Sequence, residues 1–284
     1  PPRELTLLFI GNLLLLLARG FKMVGNTFDR LASLLNGFLP VLFSPDQISA
    51  RVRARYRPHY AEIARKADLD WKKDCRLEPI EAEILDRYRI DSGKMLVMGT
   101  GWGREAIAIA QRGVAVVGID TDFTAVRTAR ELARAAGVSA RFHQANLLEL
   151  PYAGASFDFA LLSSIMYSAI PGVSQRQAWL AGLGRLLKPN GLVILGFLPE
   201  RPPVSRLRRL STRLNATLVK LPGTNRAYQP GDDWLGGHFI HWFEDVDAIR
   251  KELDGAGVTI LEINWEKGMA VVTHSRASAS SPLS

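Results

Sequence analysis

The sequence predicts an α/β fold: a doubly wound, mostly parallel sheet with a helical extension at its N-terminus. Three observations carry that expectation. From Lys94 onward, short apolar runs alternate with segments of helical period, and strand–helix–strand units of this kind pack into a parallel sheet with right-handed crossovers. Gly99, Gly113 and Gly137 stand where these elements must end, the places where a chain turns. The first 77 residues lack the alternation and read as helices. The expected organisation is therefore a helical segment over 1–77, apolar over 5–43, and an α/β domain over 78–275 carrying a basic insertion at 198–237. The small, polar tail at 276–284 has too little apolar surface to order itself.

A chain of 284 residues has room for one large domain and an appended segment. Its net charge of +8 favours an anionic partner, whether nucleic acid, membrane surface or acidic substrate. The single cysteine, Cys75, excludes an intrachain disulfide and a cysteine-based zinc cage. The five histidines show no HExxH pairing, so no metal is expected.

Leu5 to Ala18 reads LTLLFIGNLLLLLA. As a helix it spans roughly 21 Å, short of a hydrocarbon core of about 30 Å. Arg19 and Lys22 follow without a small-residue cleavage site, so a cleaved signal peptide is not expected. Phe21, Val24, Phe28, Leu31, Leu35 and Phe38 then recur at spacings of three and four, one helical stripe. Two readings stand for 5–43. The segment lies in a membrane interface, which would place a cytoplasmic protein peripherally on the membrane face. Alternatively it packs on the protein's own core or on a second copy in a homodimer. Residues 44–90 read as helical and basic, with Arg51, Arg53, Arg55 and Arg57 before Pro58. A solvated helix face explains them, and so does contact with phosphate or anionic lipid. Glu78–Tyr88 leads into the first strand.

The strand readings are 95–99, 114–120, 140–146, 157–164 and 192–197, with helices at 104–113, 123–137 and 174–187. A turn is expected at Lys188-Pro189-Asn190-Gly191. Val246–Ala256 is a helix, and 258–266 with 269–275 form a terminal strand pair.

The chemistry centres on Gly99-Thr100-Gly101-Trp102-Gly103, between the first strand and its helix. Glycines let the backbone turn and let a ligand approach without meeting Cβ atoms. The N–H groups opening the helix favour an anion. Asp120 ends the second strand, where a carboxylate can accept both hydroxyls of a ribose. A dinucleotide fingerprint needs G-x-G-x-x-G/A. Here the third glycine comes one residue early and Arg104 follows.

The G-x-G-x-G form, with an acid closing the second strand, resembles the class I, Rossmann-like, S-adenosylmethionine-dependent methyltransferases. VVGIDTDFTAVRTAR, Gln144-Ala145-Asn146-Leu147, Ser156-Phe157-Asp158 and LLKPNGLVILGF resemble later motifs of that family in the right order. The resemblance covers roughly residues 78 to 275 and implies a seven-stranded sheet and S-adenosyl-L-methionine as cofactor. It implies that Gly99, Thr100, Gly101 and Gly103 underlie the methionine part and that Asp120 holds the ribose. Thr121, Asn146 and Leu147 lie by the adenine, and Ser163 and Ser164 face cofactor and substrate. Val97 departs from the family, which often has an acid there.

A sulfonium methyl is already activated, so alignment and exclusion of water are the main needs. A base helps when the acceptor must lose a proton. His238, His241 and Tyr167 are the candidates, although two histidines three apart on a strand point to opposite faces. A structural role competes for each. Ser163-Ser164-Ile165-Met166-Tyr167 lacks the Asn/Asp-Pro-Pro-Tyr/Phe tetrapeptide that resembles amino-group methylation of DNA bases or glutamine. Residues 198–230 hold seven Lys/Arg against one acid, Glu200, which suits an acidic small molecule or lipid headgroup. RNA fits the charge, but the segment has few stacking aromatics. The expected function is methyl transfer to a small-molecule or lipid-like acceptor. An RNA methyltransferase and a non-catalytic binding protein of the same fold are the rivals.

Overall fold

Apolar residues dominate the N-terminal helix α1 (Pro2–Val24), which precedes α2 (Asn26–Asn36), α3 (Leu39–Leu42) and α4 (Pro45–Arg65). The computed structural model describes residues 2–24, 26–65, 75–162, 164–200, 206–235 and 237–274. Ser163 and the tail 276–284 lie outside the described residues. Pro79 at the first position and a Glu78/Glu81 capping box start α5 (Pro79–Arg87). Strands and helices then alternate: β1 (Lys94–Met98), α6 (Arg104–Gln111), β2 (Ala115–Asp120), α7 (Phe123–Ala135), β3 (Arg141–Gln144) and β4 (Phe157–Leu162). After α8 (Met166–Ala169) and α9 (Val173–Leu183) come β5 (Leu187–Gly196), β6 (Leu198–Pro199) and α10 (Arg206–Leu218). The chain continues through β7 (Asp232–Leu235), β8 (His238–Phe243), α11 (Val246–Gly255), β9 (Val258–Asn264) and β10 (Met269–His274).

Seven strands form one sheet in the order β3-β2-β1-β4-β5-β10-β9. The pairs within β3 to β5 are parallel. β10 alone runs antiparallel, between β5 and β9. The expected seven-stranded, doubly wound, mostly parallel sheet is the observed one. Winding reverses between β1 and β4, so the carboxyl ends of β1, β2 and β4 open on the crevice where such sheets bind ligands.

Met95, Leu96, Val97 and Met98 of β1 are fully buried. Met95 and Val97 share one core cluster with Ile84 of α5, Ile107 of α6, and Val126, Ala129 and Leu132 of α7. Each such side chain contributes about 1.5–3 kcal/mol on leaving water. Val97 thus occupies a wholly apolar position, where a carboxylate would face a large desolvation cost. Asp122 caps α7 by accepting from the Thr124 and Ala125 amides at 2.8 and 3.0 Å.

One expected turn takes another form. Leu187 pairs with Phe157 and Leu192 with Phe159, so residues 188–191 bulge out within β5. Asn190 takes a left-handed φ of 64° there, a conformation asparagine tolerates well.

The chain forms two compact units. One comprises 56–167, 177–197 and 246–284 and holds the seven-stranded sheet; the other comprises 1–55, 168–176 and 198–245. The sequence set residues 1–77 apart from everything downstream, whereas the N-terminal helices fold together with the basic insertion. Leu39, Phe43 and Ile48 share a core with Trp234 and Phe239, and Leu8, Leu14 and Leu15 of α1 pack on it. Asn215 and Asn225 donate to the carbonyls of Gly37 and Pro40 at 2.7 and 2.8 Å. In the same unit β8 pairs with β7 antiparallel and with β6 parallel.

Gly118 in β2 admits no side chain. A Cβ there would lie 2.6 Å from the Phe142 ring and 3.1 Å from Thr100 Oγ1. Gly118→Ala is expected to cost about 1–3 kcal/mol by overpacking, read as a lower urea midpoint with unchanged slope.

Candidate functional site

The loop leaving β1 has left-handed backbone at all three glycines, with φ of 69° at Gly99, 52° at Gly101 and 94° at Gly103. A side chain is disfavoured there by backbone conformation, and space is also short. A Cβ at Gly99 would lie 3.1 Å from Met166 Cγ, and one at Gly103 would lie 3.1 Å from the Ala129 Cβ. The Thr100 amide donates to the Ile119 carbonyl at 3.0 Å, holding the loop against β2. Thr100 Oγ1 and Trp102 Nε1 are buried without hydrogen-bond partners among the described residues. Such groups cost about 1–3 kcal/mol each, a cost that native structures explain chiefly at functional places.

Asp120 closes β2 with only 8% of its surface exposed. Its Oδ2 accepts from the Gly101 amide at 3.0 Å and its Oδ1 from the Asp122 amide at 2.9 Å. Burial pushes its carboxyl above the ordinary aspartate range, opposed by the backbone donors of Asp122 and Gly101. The glycine loop and this carboxylate are therefore one hydrogen-bonded object.

The end of β3 joins the same place, since the Ala145 amide donates to the Asp120 carbonyl at 2.9 Å. Gln144 Nε2 donates to the carbonyl of Thr121, which is exposed. Asn146 Oδ1 accepts from the Leu148 amide at 3.1 Å. Because that partner is a donor, the oxygen identity is fixed and the side-chain NH2 is the group pointing elsewhere. The Leu147 carbonyl accepts from Trp179 Nε1 at 3.0 Å, which ties this loop to α9. Ser164 is exposed with a φ of 51°.

The structure thus brings Gly99, Thr100, Gly101, Gly103, Asp120, Thr121, Asn146 and Leu147 together at the carboxyl ends of β1 to β3. Tyr167 is fully buried, its ring centroid 6.1 Å from that of Trp179. His238 and His241 belong to the other unit, three apart on β8 and so on opposite faces. His241 is 5% exposed, and its Nδ1 lies 2.7 Å from Asp232 Oδ1. Asp232 Oδ2 accepts from the Gln229 amide at 2.8 Å, and Gln229 Oε1 accepts from the buried Arg176.

Sequence reading missed Asp232 as the partner of His241, because their pairing follows from the register of β7 on β8. It noted Arg104 only as a departure from the dinucleotide fingerprint and gave it no partner, whereas its guanidinium donates to both oxygens of Glu81 at 2.8 and 3.0 Å and to Glu105. Glu81 sits in the capping box that opens α5, and nothing local in the sequence ties it to residue 104. Among the described residues, no group of three His, Cys, Asp or Glu side chains is placed to hold a metal ion. No described helix is long and apolar enough to cross a membrane.

Residues 95–191 match the family described as a methyltransferase domain. The demethylmenaquinone methyltransferase of Thermus thermophilus is 32% identical over 143 residues, covering 48% of this chain and 57% of that protein. The chain spans about three fifths of the length of the curated relatives it matches. Among solved structures, an S-adenosylmethionine-dependent methyltransferase of Methanosarcina mazei superposes with a TM-score of 0.52 at 22% identity, covering 69% of this chain and 96% of that one. The 1,6-didemethyltoxoflavin-N1-methyltransferase of Burkholderia thailandensis, bound to S-adenosylhomocysteine, has a TM-score of 0.56 at 17% identity, covering 82% and 91%. At these identities the structural likeness speaks for the fold. Together, the domain match over residues 95–191, the strand order and the loop geometry give this part of the chain the fold of a Rossmann-like methyltransferase domain.

Proposed function

We propose that this protein transfers a methyl group from S-adenosyl-L-methionine to a small-molecule or lipid-like acceptor. The observation that carries the reading is the buried Asp120 carboxylate, hydrogen-bonded to the amide of left-handed Gly101 at the end of β2. The residues present fit that cofactor. The glycine loop offers backbone in place of side chains, Asp120 offers two acceptor oxygens for a ribose diol, and the unused NH2 of Asn146 suits the N1 acceptor of adenine. Thr121, exposed beside Asp120, fits the adenine flank, and Ser164 lies after β4, on the acceptor's side. The cofactor supplies an electrophilic methyl on sulfur; the protein's part is to align the acceptor and exclude water. Two relatives are named for small organic acceptors, which supports that class here.

Within their own unit, His241 Nδ1 and Asp232 Oδ1 pair at 2.7 Å and both residues are buried, as a structural pair would be. Tyr167, wholly buried, fits a wall of the core better than a proton acceptor.

Titration calorimetry of the full chain tests the cofactor assignment. S-adenosylmethionine and S-adenosylhomocysteine are expected to bind and NAD to give no heat. Binding of NAD with silence from both adenosyl ligands would overturn it.

A further inference from the structure

Large apolar side chains that stay exposed concentrate in the unit built from the N-terminal helices and the basic insertion. On α1 they are Leu5, Phe9, Ile10, Leu13, Leu16 and Leu17, with Leu5 and Phe9 both 68% exposed. At 100° per residue these six fall within an arc of about 140°, and only Thr6 interrupts it. The opposite face, with Leu8, Gly11, Leu14, Leu15 and Ala18, is turned inward. A Cβ at Gly11 would lie 2.5 Å from the Phe43 ring, so the helix backbone rests directly on that core. From Leu5 to Ala18, α1 is thus apolar on both faces, and among the described residues only one of them is covered.

Helix α10 of the same unit repeats the anomaly with charge added. Its buried face is polar, with Ser211 and Asn215 at 0% and 1% exposure. Its outer face carries exposed Leu210 and Leu214 beside exposed Arg209 and Arg213. A helix evolved only to seal a core would place those leucines inward. Leucines and arginines sharing an outer face match the chemistry of an interfacial helix, whose apolar edge enters the acyl boundary while its cations meet anionic headgroups.

We propose that this unit docks on a membrane surface containing anionic lipid, with the outer face of α1 lying in the interface plane and α10 supplying apolar and cationic contacts. The exposed stripe from Leu5 to Leu17 is about 18 Å long, and its helix is held sideways by Phe43. Interfacial docking therefore suits it and spanning does not. The proposal goes beyond methyl transfer and does not require the acceptor to be a lipid.

Vesicle co-sedimentation of the full chain tests it, with phosphatidylcholine alone and with phosphatidylglycerol added. Binding is expected with phosphatidylglycerol, weakening as salt rises. Phe9→Glu with Leu13→Glu is expected to lower the partition coefficient at least about tenfold, since two exposed apolar anchors are lost. Arg209→Glu with Arg213→Glu is expected to do the same for anionic vesicles, and to remove the salt dependence. Circular dichroism melts matching the parent's establish that the variants fold. Should the α1 variant unfold, Leu210→Glu with Leu214→Glu asks the same question from a second helix. Failure of the parent to sediment with either vesicle overturns the proposal. So does a dimer in sedimentation equilibrium that the α1 variant dissociates while vesicles bind neither protein, because the stripe would then be a self-association face. S-adenosylhomocysteine binding, measured without vesicles, reports separately on the methyltransferase reading.

Discussion

Asp120→Ala is expected to weaken S-adenosylmethionine and S-adenosylhomocysteine binding by about 10²- to 10⁴-fold. Two hydroxyl-to-carboxylate hydrogen bonds at about 1.5–3 kcal/mol each set that range, at 1.4 kcal/mol per decade. The alanine also removes the acceptor that holds the Gly101 amide, so the loop loses its anchor as well as the proposed ribose contact. Asp120→Asn separates the two effects. It keeps the shape and one acceptor oxygen, but its NH2 faces a backbone donor. The pH dependence provides an independent check. Burial lifts the Asp120 carboxyl above the usual range, and the ribose requires the ionised form. Affinity should therefore hold at neutral pH and fall as pH drops through that raised value, approaching one decade per pH unit below it. Calorimetry across the acid range should show this slope in the parent and lose it in Asp120→Asn. A parent whose affinity is flat across that range, with an alanine variant that binds normally, would remove Asp120 from the site.

The parts of this fold that were legible in the sequence are those whose signal is local. β1, β2, α6 and α7 announce themselves by apolar period and by glycine or aspartate at their ends, and the site they position was read from the same few residues. The second unit is different in kind. Its core joins residues 39–48 to residues 234–239, and its polar ties link Asn215 to Gly37 and Asn225 to Pro40. No window of sequence contains both halves. α10 inverts the usual rule, burying Ser211 and Asn215 while Leu210 and Leu214 stay out, so apolar periodicity carries no signal for its buried face. The β5 bulge reads as an isolated turn until the register on β4 shows Leu187 and Leu192 serving the same strand. The Asp232–His241 pair depends on cross-strand register in the same way.

Arg104→Ala is expected to be the most destabilising single change near the site, costing about 3–5 kcal/mol, the range for breaking a buried ion pair from one side. Arg104 opens α6 immediately after Gly103. Its guanidinium bridges Glu81 of α5 and Glu105, carboxylates only 6% and 3% exposed, and also donates to the Arg76 carbonyl. Removing it takes the cation away from the buried Glu81 carboxylate. Arg104→Lys keeps the charge but loses the two-oxygen grip on Glu81, and is expected to fall between parent and alanine. Glu81→Gln added to Arg104→Ala should recover part of the loss by removing one unpaired charge, a non-additivity that independent sites do not show. Urea unfolding of five proteins, with Glu81→Gln alone completing the cycle, measures all of this. Because α6 starts at the third glycine, the ion pairs of Arg104 fix the helix start on which the glycine loop ends. An alanine variant as stable as the parent at neutral pH would mean that the carboxylates find other partners, and that the glycine loop is held by its backbone alone.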